Sequence, residues 1–168
     1  MREGTIRRLT PDDAAIFRGI RLEGLLNHPE AFGADYEAEA ARPLAATAAR
    51  LADTTVLGGF SGDGMVQGIM GLVRDKSPKT RHIATIWGVY VRPALRGTGL
   101  ARHLLDAAIA EAFRDCLSIR LSVSATNRAA RQLYLRAGFV EWALDARAML
   151  VDGVFHDEIL MRLDRKDP

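Results

Sequence analysis

Two glycines set two residues apart, at the junction of a strand pattern and a helix pattern, constrain this chain more than any other feature. The segment Val89-Tyr90-Val91-Arg92-Pro93-Ala94-Leu95-Arg96-Gly97-Thr98-Gly99-Leu100-Ala101 runs from β-branched and aromatic residues through a short loop into an amphipathic helix. Small loop residues let a ligand approach the main chain. The N–H groups of the first helical turn have no partners within the helix and favour anions. A pyrophosphate suits such a place, although Gly-x-Gly before a helix also serves as plain turn and cap chemistry. Two familiar phosphate loops are excluded. No Gly-Lys pair exists for a P-loop. The dinucleotide fingerprint needs Gly or Ala three residues after Gly99, where Arg102 stands, and it needs an earlier place in the chain.

Around this loop the pattern predicts one mixed α/β domain over residues 1–168. Strands are expected at residues 5–9, 54–60, 65–74, 81–91, 118–124, 140–150 and 154–163. Ser61-Gly62-Asp63-Gly64 and Val151-Asp152-Gly153 read as the turns of two hairpins. Gly88 interrupts the long central strand and marks a bulge or the close approach of a ligand. A first helix starts at Thr10, with Thr10 as its cap and Pro11 in its first position. Its apolar face runs through Ile16, Ile20, Leu22, Leu25 and Leu26, and Asn27-His28-Pro29 ends it. Residues 30–37 are irregular, and 38–51 are helix formers with Pro43 near a helix start. Further helices are expected over 99–113 and from Asn127 as cap to about Ala137, where Gly138 stops the last one.

Composition removes several classes. A net charge of +2 on 168 residues gives no strong pull toward nucleic acid. No apolar run reaches the roughly 18 residues of a membrane span, and the N-terminus has no signal-peptide core, so a cytoplasmic location is expected. The single cysteine, Cys116, excludes an internal disulfide and reads as a small packed residue. His28, His82, His103 and His156 show no metal-ligand spacing, and no metal is expected. Arg far outnumbers Lys, which suits phosphate binding and points to a GC-rich bacterial genome.

A second segment sharpens the picture: Asn127-Arg128-Ala129-Ala130-Arg131-Gln132-Leu133-Tyr134-Leu135-Arg136-Ala137-Gly138-Phe139, one helix and one strand after the loop. Arg96, Gly99 and Ala101 following Val91-Arg92-Pro93, together with this segment, resemble the two motifs of the GNAT superfamily of acyl-CoA-dependent N-acetyltransferases. The resemblance implies a mixed, mostly antiparallel sheet of six or seven strands with about four helices. It implies transfer of an acetyl group from acetyl-CoA to a primary amine of a small molecule, amino acid, peptide or protein, by direct attack in a ternary complex. The main-chain amides of Arg96, Gly97, Thr98, Gly99, Leu100 and Ala101 would hold the pyrophosphate of coenzyme A. Val89, Tyr90 and Val91 would pair with the pantetheine arm like an added strand, in a gap opened toward residues 119–124. Asn127 would bond the arm near that gap. Arg102, Arg131 and Arg136 are candidates for the outer phosphates, or are solvated helix charges.

The resemblance also assigns chemistry. The N–H of Val89 beside Gly88 would polarise the thioester carbonyl, and Tyr134 would act as general acid toward the leaving sulfur. Tyr134 could equally be a packed aromatic. Many members carry a Glu on the central strand, but here residues 82–91 hold no carboxylate and Thr85 takes the corresponding place. Asp35, Glu37, Glu39 and Glu141 are alternative bases, and water is another. Phe32, Tyr36, Glu37 and Trp87 are expected to line the acceptor site, with Trp87 also readable as a half-buried core aromatic. The closing strands offer an edge for a homodimer. The absent Glu leaves a second reading, a coenzyme A-binding or sensing module without catalysis.

Overall fold

Seven strands pair into one sheet in the computed structural model, which describes residues 4–166. They are β1 (Thr5–Arg8), β2 (Thr55–Phe60), β3 (Val66–Arg74), β4 (Ile83–Val91), β5 (Ser118–Ser124), β6 (Val140–Val151) and β7 (Val154–Asp164). The helices are α1 (Ala14–Asn27), α2 (Tyr36–Ala41), α3 (Leu44–Asp53), α4 (Leu100–Ala112) and α5 (Arg128–Arg136). The order across the sheet is β1-β2-β3-β4-β5-β7-β6. Every neighbouring pair is antiparallel except β4 and β5. The mixed, mostly antiparallel sheet expected from the sequence is therefore present, at the upper strand count.

Helices cover both faces. On one, α4 places Leu104, Leu105 and Ala108 against Met70, Ala84, Ile86, Ile119 and Leu121. On the other, Phe17 and Ile20 of α1 and Leu51 of α3 pack with Val56, Ile69 and Tyr90. Cys116 is buried in the first cluster, a packed residue as expected.

Two helical regions gain detail. The helix formers of residues 38–51 divide into α2 and α3, and α3 begins directly after Pro43, where a helix start was expected; Arg42 is extended (φ −68°, ψ 132°) before that proline. The ring of a proline disfavours helical geometry in the residue before it. At the first helix, a short 3-10 turn (Pro11–Asp13) precedes α1. The Asp13 carboxylate accepts from the Thr10 main-chain N–H at 2.8 Å, so the reach-back acid does the capping expected of the Thr10 hydroxyl. The buried face of α1 is Ala14, Phe17, Ile20, Arg21, Gly24 and Leu25, while Ile16 and Leu26 are exposed.

The decisive local event lies in β4. Trp87 pairs with Gly71 and Tyr90 with Ile69, so Gly88 and Val89 together face only Met70. This is the bulge anticipated at Gly88, which adopts φ +62°. The extra residue reverses the alternation of side chains. Ala84 and Ile86 face the α4 cluster before it, and Val89 and Val91 do so after it, whereas Trp87 and Tyr90 face the α1 side. β4 also pairs with β5 only from Ile83 to Thr85, against Ser118 to Arg120. Beyond that point the two strands part.

Candidate active site

The parting of β4 and β5 opens a cleft of about 740 Å³. Val89, Tyr90 and Val91 form one wall, and Ser124, Asn127, Ala130 and Tyr134 form the other. Arg96, Gly97, Gly99 and Ala101 close its end, with Arg102 and Arg136 beside them. The two sequence motifs, which lie on different elements, therefore meet across one opening.

The loop owes its form to its glycines. Gly97 has φ +76° and Gly99 φ +92°, conformations that cost a side-chain-bearing residue free energy. The Arg96 N–H donates to Pro93 O at 3.1 Å and the Thr98 N–H to Leu95 O at 3.4 Å, so these two amides are engaged within the turn. No main-chain hydrogen bond is donated by Gly97 or Gly99 among the described residues. Leu100 and Ala101 open α4, where N–H groups lack helical acceptors. The free donors are thus four of the six expected. Thr98 turns its hydroxyl to Leu95 O at 2.7 Å, and the Leu100 side chain packs on Gly59; neither residue lines the cleft. The Arg96 side chain braces the loop, donating to Val91 O at 3.2 Å and lying 3.0 Å from His28 Nε2.

On the opposite wall, Asn127 caps α5 by accepting from the Ala130 N–H at 3.1 Å, and its amide NH₂ keeps its donors. Tyr134 is 4 % exposed and packs edge-on against Phe139 at 5.8 Å between ring centroids. Burial pushes its hydroxyl well above the usual tyrosine range. No hydrogen bond engages that hydroxyl among the described residues. The Tyr90 ring points away from this wall, and its hydroxyl donates to Glu23 Oε1 at 3.0 Å. Glu23 also accepts from Arg92 at 2.8 Å, tying α1 to β4. Burial raises the Glu23 carboxyl, but the hydrogen bonds of Arg92 and Tyr90 outweigh it and leave it below the usual range.

Other expected residues go elsewhere. Arg131 leaves the cleft to pair with Glu141 at 2.9 Å, which also occupies that candidate base. Arg102 pairs with Asp106 at 2.8 Å while lining the cleft. Phe32 lines the cleft; Tyr36 and Glu37 open α2 and do not line it, Tyr36 being half-buried and Glu37 exposed. Asp35 caps α2 by accepting from the Ala38 N–H at 2.9 Å. Thr85 is exposed.

Trp87 faces a second, smaller cleft of about 300 Å³, shared with Arg21, Ala34, Glu39 and Arg50. Its indole lies over Gly71, where a Cβ would collide with the ring. It also packs edge-on against Phe17, with ring centroids 6.3 Å apart, so it is both wall and core. Glu39 accepts two hydrogen bonds from Arg50 at 3.1 Å and pairs with Arg42 at 3.4 Å. Burial raises its carboxyl, and the Arg50 hydrogen bonds with the neighbouring guanidinium charges outweigh that and leave it lowered. Sequence reasoning missed Arg21, Glu23 and His28 as residues of this region. The available signal was a charge at Arg21, four residues after Phe17 on the buried face of α1.

Among the described residues no group of three or more His, Cys, Asp or Glu is arranged to hold a metal ion. No described helix is long and apolar enough to cross a membrane.

A sequence model of the Acetyltransferase (GNAT) family matches residues 23–139, a span that contains both cleft motifs. Solved structures share the whole fold. An acetyltransferase of the GNAT family from Streptococcus pneumoniae superposes with a TM-score of 0.84 at 24 % identity, covering 97 % of this chain and 100 % of that one. The protein yncA from Salmonella typhimurium, solved with its cofactor acetyl-CoA, gives 0.81 at 26 % identity, covering 99 % of this chain and 96 % of that one. A ribosomal-protein-alanine N-acetyltransferase from Brucella melitensis gives 0.78 at 23 % identity, covering 96 % and 99 %.

Proposed function

This chain belongs to the acetyltransferase (GNAT) family, and from that premise we propose that it transfers an acetyl group from acetyl-CoA to a primary amine by direct attack. The carrying observation is the cleft between β4 and β5, which runs from the unpaired amides at Gly97 and Gly99 to the bulge at Gly88. Such a cleft suits a diphosphate at one end and a reactive group at the other. The binding of acetyl-CoA by yncA supports the same reading.

Acetyl-CoA supplies the acetyl group as an activated thioester. The amides of Gly97, Gly99, Leu100 and Ala101, at the positive end of α4, hold the diphosphate. The edge of β4 from Val89 to Val91, released by β5, pairs with the pantetheine amides. Asn127 offers its side-chain NH₂ from the facing wall. The Val89 N–H at the bulge donates to the carbonyl oxygen as it gains charge. Tyr134, kept protonated by burial, donates to the leaving sulfur. Asp35, Glu39 and Glu141 are each held by other partners. Glu37 is exposed and does not line the cleft, and water is assigned the proton of the incoming ammonium.

Thiol release from acetyl-CoA in the presence of a panel of primary amines tests the activity. Tyr134→Phe is expected to lower turnover roughly 10- to 10⁴-fold while leaving acetyl-CoA affinity in place. Absence of acetyl-CoA binding would refute the assignment. Tight binding without transfer to any amine would leave a sensing module in its place.

A further inference from the structure

Arg21 is 6 % exposed, yet its Nε and Nη1 find no hydrogen-bond partner among the described residues. A buried guanidinium without an acceptor is costly, so its persistence calls for a reason. Its neighbours do not supply one. The rings of Phe32 and Trp87 flank it at 5.2 Å and 5.5 Å from its central carbon, a favourable but acceptor-free setting. Glu39, the nearby acid, already takes two hydrogen bonds from Arg50 and an ion pair from Arg42. Three guanidinium groups around one carboxylate leave the small cleft with excess positive charge. Burial also depresses the Arg21 pKa, with Glu39 opposing and Arg50 and Arg42 adding to the effect.

Position gives this cation its meaning. Phe32 belongs to the large cleft and Trp87 to the small one, so Arg21 stands where the two approach each other. Its Nη1 lies 3.0 Å from the place a Cβ on Gly88 would take. The next residue is Val89, to which the carbonyl-polarising N–H is assigned. The side chain missing at Gly88 is thus the space in which the guanidinium, a lining group of the smaller cleft, approaches the bulge. An amine separated by one carbon from an oxyanion could bond Arg21 with the anion and present its nitrogen at the bulge.

We propose that Arg21 receives an oxyanion carried beside the reactive nitrogen, so that the acceptor is a small amino-acid-like zwitterion and not a plain amine or a peptide N-terminus. This rests on the acetyltransferase reading and adds the acceptor class to it. A cleft of about 300 Å³ matches a small molecule. Arginine binds carboxylate or phosphonate oxygens through paired hydrogen bonds.

The test compares free L-amino acids, their amides and the matching 1-aminoalkylphosphonates as acceptors. In the wild type, kcat/KM for the oxyanion-bearing compounds is expected to exceed that for the amides on the order of 10- to 100-fold, the range for a hydrogen bond to a charged group. The carboxylate and phosphonate arms identify which oxyanion is preferred. In Arg21→Met the ratio falls toward one through KM, and Arg21→Lys restores part of it. Equal use of acids and amides by the wild type, or a ratio that survives Arg21→Met, overturns the proposal. Trp87 provides a readout free of turnover, since the only other tryptophan is Trp142, 53 % exposed on β6. In Trp142→Phe, free amino acids are expected to change Trp87 emission and amides are not; no difference refutes the role even if Arg21→Met fails to fold. If no amine releases thiol while the emission change persists, the activity is refuted and the anion site stands.

Discussion

Gly97 and Gly99 carry the main-chain geometry of the cleft end proposed to hold a diphosphate, with φ +76° and +92°. A β-branched residue at such an angle is strained by about 1–3 kcal/mol. Gly99→Val is expected to raise the acetyl-CoA Michaelis constant roughly 5- to 150-fold, the same strain expressed as an equilibrium ratio. Steady-state kinetics check this, and an unchanged constant would remove the loop from donor binding. These glycines were legible because the requirement is local: a turn into a helix with the chain turned to positive φ admits few other residues. Thr98 and Leu100, from the same short motif, could not be sorted that way. One turns back on Leu95 and the other is drawn onto Gly59, 41 residues earlier in sequence on β2. Arg21 was illegible for the same reason, since an unpaired charge shows itself only when everything around it is known.

Elements were read well where one period ran unbroken. β2, β3 and their turn, α4, β5 and α5 fall within a residue or two of their expected bounds. The differences lie at junctions. The helix start expected near Pro43 is present as α3, and the extended Arg42 separates it from α2. At the start of α1, Asp13 takes over the capping by accepting from the Thr10 N–H at 2.8 Å and from two Arg7 nitrogens at 2.8 Å. Asp13→Ala is therefore expected to destabilise the fold by about 1–2 kcal/mol, the range for a lost helix cap, measured by urea unfolding. Thr10→Ala, which keeps the main-chain N–H, is expected to cost less; equal losses would contradict the assignment of the cap to Asp13. The bulge in β4 is the element-scale feature with most consequence. It sends Val89 and Val91 to the α4 side and Trp87 and Tyr90 to the α1 side, which no strict alternation allows.

At the scale of the molecule, carboxylates tie separate elements together: Asp13 to Arg7, Glu23 to Arg92 and Glu39 to Arg50. All three carboxyls lie below their ordinary values in the fold. For Asp13 the Arg7 hydrogen bonds lead; for the other two, burial opposes and the basic partners prevail. The unfolded chain therefore binds more protons than the native one as pH falls. The stabilisation is fully present above about pH 4.5 and disappears as pH drops through the folded-state values. Melting temperature followed by circular dichroism is expected to decline steadily below about pH 4, and Arg7→Gln is expected to flatten that decline. A melting temperature indifferent to acid would contradict the role given to these pairs.

The sequence alone determined what short-range physics can dictate: strand and helix periods, the glycine-lined helix start, the capping Asn127 and the order of elements from which a mixed sheet follows. Only the tertiary structure decided that β7 enters between β5 and β6, that β4 and β5 part after Thr85, and that Arg21 meets Gly88 across 67 residues of chain. Periodicity records which face of an element is buried, through interactions spanning a turn or two. It carries no record of which partner does the burying, because that is settled by packing among segments far apart in sequence, the same packing that encloses the charge of Arg21.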